Sequence, residues 1–225
     1  MFNERSTAQS LYHYHRNCSL MKGLEEIINE IEAQLDEKDN TRELCLKSSR
    51  TINRLASSAL RRLHRGENVE LILREARDEV SKLRSVLSEH PDLLHAGFVD
   101  EALQEFTEVV IVQNILAGKS APSLKDLGVT NSSYLLGLGD VVGELRREAM
   151  ECLKKGDIAR ATYFLEEMED IYDQLMRFDH PSAIIPIRRK QDVARTLIEK
   201  TRGEIAVATR GIELENKIAN LQGKL

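Results

Sequence analysis

An all-α fold is predicted for this chain, on three observations. Neither Gly nor Pro occurs between Leu24 and Arg65, and no Gly occurs between Asp157 and Arg202, so two long stretches lack the strongest helix breakers. Through both, apolar residues recur at intervals of three and four, the period of a helix with one buried face. Charged residues make up 31% of the sequence and aromatics 4%, with no Trp, which suits helices with extensive solvated faces.

Breaks at Asp39-Asn40, Gly66, Pro91, Gly118 to Asn131, Gly156 and His180 to Pro186 divide the chain into seven helices, at 22–37, 41–65, 67–89, 92–117, 132–155, 158–178 and 187–221. Asn40 is placed to cap the second of these, Ser132 or Ser133 the fifth, and Asp157 the sixth, just after Gly156 closes the fifth. The final helix is long and charged along one side, yet keeps Val193, Leu197, Ile198, Ile205, Ile212 and Leu214. Such a helix packs on a partner or spans the whole bundle. Residues 1–20, with Tyr12-His13-Tyr14-His15 and Cys18, show no period and read as a disordered leader, which leaves 21–225 as a single domain.

The net charge of -5 argues against nonspecific coating of nucleic acid, while leaving room for a local basic patch. Three cysteines without zinc-like spacing point to free thiols in a reducing compartment, with the cytoplasm as the default. No run approaches 18 apolar residues, so no membrane span is expected.

Two windows contradict their own surroundings. In Leu103-Gln104-Glu105-Phe106-Thr107-Glu108-Val109-Val110-Ile111-Val112, and again in Tyr134-Leu135-Leu136-Gly137-Leu138-Gly139-Asp140-Val141-Val142-Gly143-Glu144-Leu145, carboxylates stand inside helices too apolar to face water. An unpartnered carboxylate there costs several kcal/mol unless a cation or hydrogen-bond donors meet it. At about 100° per residue, Glu105 and Glu108 project within about 60° of each other, and Asp140 and Glu144 within about 40°. The connection between the two helices is long enough for them to run antiparallel and bring the pairs together. Oxygen-only ligation suits Mg²⁺, Mn²⁺ or Ca²⁺ rather than zinc, and phosphoryl transfer is the natural chemistry of such a site. Buried ion pairs with Lys or Arg account for the same spacing equally well. The run Glu166-Glu167-Met168-Glu169-Asp170 lies on a charged helix and reads as a solvated face.

On the second predicted helix, Lys47, Arg50, Arg54, Arg61 and Arg65 fall within about 60° of arc, opposite Ile52, Leu55, Ala56, Ala59 and Leu63. Five positive charges over about 27 Å match successive phosphates of a strand and give affinity without sequence readout. A basic face satisfied by acidic neighbours in a subunit interface is the plainer reading of the stripe alone. His64, His90, His95 and His180 are scattered and read as structural or solvent-facing, although His64 borders the stripe.

The window from Tyr134 to Leu145 resembles the signature of the translin family, and more closely its trax (translin-associated factor X) branch. Leu103-Gln104-Glu105-Phe106-Thr107-Glu108 is similar to that branch's Leu-Gln-Glu-aromatic-x-Glu element. The Gly156-Asp157 turn fits as well, while Ser133 stands where the family usually has Asp. The resemblance spans Leu44 to Asn220 and implies a seven-helix translin-like bundle with a long C-terminal helix. It further implies a metal-dependent endoribonuclease acting on single-stranded RNA inside a closed homo-oligomeric shell, an octamer, as in prokaryotic members. Glu105, Glu108, Asp140 and Glu144 would hold Mg²⁺ or Mn²⁺ and carry the catalysis, and the basic stripe would guide RNA, with DNA as a further ligand. Two other readings stand beside it: a noncatalytic translin-like shell binding single-stranded RNA or DNA, and an all-α NTP pyrophosphohydrolase, whose second acidic pair is typically spaced by three rather than four.

Overall fold

The computed structural model describes residues 19–222; the leader expected at the N-terminus falls almost wholly outside them. Every regular element among the described residues is helical. Helix α1 runs Ser19–Leu63, α2 Glu70–Glu89, α3 Gly97–Leu116, α4 Leu124–Leu127, α5 Asn131–Lys154, α6 Ile158–Leu175 and α7 Arg188–Gln222, with one 3₁₀ turn at Pro91–Leu93. The all-α expectation and the long C-terminal helix hold.

The boundaries differ in several places, among them the fourth expected helix, which begins at Gly97 rather than at 92, after the 3₁₀ turn. No break occurs at Asp39-Asn40. The first two expected helices are one, and Asn40 is interior rather than a cap, while the Thr41 hydroxyl donates to the Glu37 carbonyl one turn back at 3.0 Å. Asp and Asn in a helix interior each cost only about half a kcal/mol relative to Ala, too little to interrupt a run without Gly or Pro. The fifth expected helix is capped by Thr130, whose hydroxyl accepts from the Ser133 amide at 3.0 Å. The Ser133 hydroxyl is fully buried and donates instead to Asp100 at 3.1 Å. Between α3 and α5 there is also the single turn α4, closed by a Ser123–Asp126 capping box and by Gly128 in the left-handed region (φ 68°). Asp157 caps α6 as expected, accepting from the Arg160 amide at 3.0 Å.

The chain divides into two compact units, Met1–Cys45 and Leu46–Leu225. Along the described part of the first, Leu24, Ile27, Ile28, Ile31 and Leu35 recur at helical spacing and are all exposed. In the second, α3 and α5 pack on each other, and α5 also lies against α6 and α7. Helix α3 is buried on nearly every side, through Val99, Ala102, Leu103, Phe106 and Val109 to Val112. Its contact with α5 is close because Gly137 has no side chain: a Cβ there would stand 2.7 Å from the Gln104 carbonyl and 2.9 Å from the Thr107 Cβ. Helix α7 is anchored through Ala194, Ile198, Thr201 and Ile205, beyond which Val207, Leu214, Ile218 and Leu221 are exposed.

Candidate active site

Because Gly137 lets α5 settle against α3, the two acidic pairs end up facing one cavity of about 310 Å³, into which Glu105, Glu108, Asp140 and Glu144 all project. Its rim adds Glu101 and Gln104, and α1 supplies Ala56, Ser57 and Leu60. All four carboxylates expected to converge do so.

The convergence is electrostatically costly. Burial, followed by repulsion from Asp140, Glu144 and Glu105, pushes the Glu108 carboxyl up to about 8, against a smaller opposing pull from Lys190. Glu105 is raised too, by burial and then by Glu101, although the Ser57 hydroxyl donates to it at 3.4 Å.

Two further residues, Lys190 and His64, sit in this cluster. The ammonium of Lys190, in the first turn of α7, pairs with Asp140 Oδ1, while the Gln104 amide donates to Oδ2 at 2.5 Å. The ring of His64 stands between two carboxylates of α5, Nε2 against Glu144 and Nδ1 against Glu148, each at 2.5 Å. Of the structural and solvent-facing roles expected for His64, the structure shows the structural one: its side chain is 7% exposed and ties the end of α1 to the acidic face of α5.

The donor set is all oxygen and carboxylate-rich, of the kind a hard divalent ion takes, and the Glu108 carboxyl is raised first by burial and then by its acidic neighbours. As the side chains stand, no three His, Cys, Asp or Glu among the described residues are gathered into a ligand set. Asp140 is drawn to Lys190 and Glu144 to His64, so the residues fit an ion in chemistry while their present rotamers serve those internal partners.

Lys47, Arg50, Arg54 and Arg61 lie exposed on α1, opposite the buried Ile52, Ala56 and Ala59, as the pattern predicted. Arg65 falls beyond the end of α1, and its guanidinium is held by Glu67 at 2.6 Å. The face borders the cavity, since Ser57 stands one turn before Arg61 on the same helix.

The translin family model matches residues 111–202. An uncharacterized protein of Methanocaldococcus jannaschii is 34% identical over 192 residues, 84% of this chain and 85% of that protein. The chain belongs to the translin family. Among solved structures, the crystal structure of AfC3PO matches with a TM-score of 0.76 at 32% identity, over 82% of this chain and 97% of that one. AfC3PO in complex with duplex RNA matches with a TM-score of 0.68 over the same shares. Apo-NeC3PO, at 22% identity and a TM-score of 0.71, shares the fold. The matched family segment contains Asp140, Glu144 and Lys190; Glu105 and Glu108 precede it. No helix among the described residues of this translin-family chain is long and apolar enough to cross a membrane.

Proposed function

We propose that this chain is a trax-type endoribonuclease, dependent on Mg²⁺ or Mn²⁺, that cleaves single-stranded RNA within a closed homo-oligomeric shell, an octamer. The observation that carries the reading is the convergence of Glu105, Glu108, Asp140 and Glu144 on one cavity, where burial first and then the neighbouring carboxylates hold the Glu108 carboxyl well above its usual range. Glu105, Glu108, Asp140 and Glu144 would hold the ion. When bound, a divalent ion would polarise a phosphodiester and lower the pKa of an attacking water.

The chain's own residues supply the remainder. Lys47, Arg50, Arg54 and Arg61 attract the phosphate backbone and lay it along α1, and Ser57 and Leu60 lead from that face into the cavity. The likeness to AfC3PO, whose structure includes a duplex RNA complex, supports RNA as the ligand class. The exposed apolar residues of α1, Leu24 to Leu35, and of α7, Val207 to Leu221, support burial against other copies.

The test is incubation with end-labelled single-stranded RNA in Mg²⁺, in Mn²⁺ and in EDTA, beside an Asp140→Asn protein prepared identically. Metal-dependent cleavage that the variant loses is the expected result. Binding without cleavage by either protein would leave a noncatalytic RNA-binding shell, a reading favoured by the internal pairing of Asp140 with Lys190.

A further inference from the structure

Lys190 is delivered to the carboxylate cluster by three separate features. Ile185 and Ile187 are buried just before α7 begins, and the Gln191 amide donates to the carbonyls of Leu175 at 2.8 Å and Phe178 at 2.9 Å, which sets the start of α7 against the end of α6. The lysine stem then crosses α5 at Gly139, where a Cβ would stand only 2.8 Å from the Lys190 Cβ. At the end of that path the ammonium takes one oxygen of Asp140 while Gln104 takes the other. A side chain steered this way is placed for Asp140, and with about a quarter of its surface exposed it has solvent to retreat into.

We propose that Lys190 is a positioning residue that acts as a built-in counter-ion, holding Asp140 within the cluster before an ion arrives and competing with a divalent ion for that carboxylate. The inference rests on the metal reading above. In the ion-free protein the ammonium donates to Asp140 and offsets part of the repulsion among the four carboxylates. A dication approaching Asp140 meets that unit positive charge, and the ammonium turns outward as the ion settles. Ion binding is thereby weakened and reversible, and the cluster stays assembled between binding events.

The experiment is calorimetric titration of the full chain with Mg²⁺ at one fixed pH, the same for every protein. Wild type, Lys190→Met and Lys190→Arg are compared, with melting temperatures taken with and without Mg²⁺. Lys190→Met is expected to bind Mg²⁺ about tenfold more tightly or better, since a like charge beside the ion is gone, and Lys190→Arg to stay within about twofold of wild type. Without the ion, Lys190→Met should melt below wild type, and saturating Mg²⁺ should close the gap. A purely structural lysine would predict weaker binding in the Met variant. Should that variant fail to fold, Lys190→Gln, which keeps a donor for Asp140 without the charge, is expected to show the same tightening. Unchanged or weaker Mg²⁺ binding in the neutral variants, with wild type binding, overturns this inference alone; absence of binding in every protein overturns it together with the metal reading.

Discussion

The Nε2 of His64 meets the Glu144 carboxylate at 2.5 Å, so a residue just past the end of α1 is joined to one of the four carboxylates that α3 and α5 bring together. Glu148, one turn further along α5, closes on the other nitrogen at the same distance. His64→Ala leaves both carboxylates without this partner, and a loss of about 2 kcal/mol is expected on chemical denaturation. Glu148→Gln alone should cost less. The double variant should fall short of the sum by about 1 kcal/mol, because the two residues share one interaction.

A second prediction concerns pH. Glu108 holds its proton up to about 8 when folded, whereas an unfolded glutamate releases it near 4.5. Between those values the unfolded chain binds fewer protons, so stability falls as pH climbs from about 5 toward about 8 and then levels off. Glu108→Gln should flatten this dependence and make the ion-free protein more stable at about pH 8, by a few kcal/mol on the scale of about 1.4 kcal/mol per pKa unit. Denaturant midpoints across that range check it.

The two glycines before Asp140 each admit a different neighbouring helix, and neither should accept a methyl group without cost. A Cβ on Gly137 meets the Gln104 carbonyl, a backbone atom that moves only if α3 and α5 separate, and Gly137→Ala is expected to cost about 1–3 kcal/mol. A Cβ on Gly139 would stand 2.8 Å from the Lys190 Cβ, which the backbone of α7 fixes, so α5 and α7 must part to admit it. Gly139→Ala is therefore also expected to cost about 1–3 kcal/mol and to lower the melting temperature, measured beside Gly137→Ala.

On the basic face, Arg50→Ala, Arg54→Ala and Arg61→Ala should each weaken RNA binding and reduce the slope of log affinity against log salt by about 1. Arg65→Ala should do less, because its guanidinium is already engaged by Glu67. Binding titrations at several salt concentrations separate the two behaviours.

Much of this architecture is legible in the sequence. Glu105, Glu108, Asp140 and Glu144 stand out because their neighbours are apolar, and helical spacing alone brings each pair to one face. Their partners are not legible in the same way. Lys190 is 50 residues from Asp140 and His64 is 80 from Glu144, so their pairing depends on how α7 and α1 pack on α5 rather than on any local pattern. Lys190 also follows Arg188 and Arg189, and nothing local tells which of the three faces the cavity. The expected interruption at Asp39-Asn40 failed for the opposite reason: residues that make good caps are weak breakers when uninterrupted helix continues on both sides.

Gln191 touches none of the four carboxylates, yet its two hydrogen bonds to the end of α6 set where Lys190 begins its reach. The ion affinity of the cavity is thereby adjustable from a distance. A change in the connection between α6 and α7 that slid the start of α7 along its axis would retune the cavity's charge while every one of its acidic residues stayed unaltered, so two relatives with identical carboxylates can differ in the ion concentration at which they work.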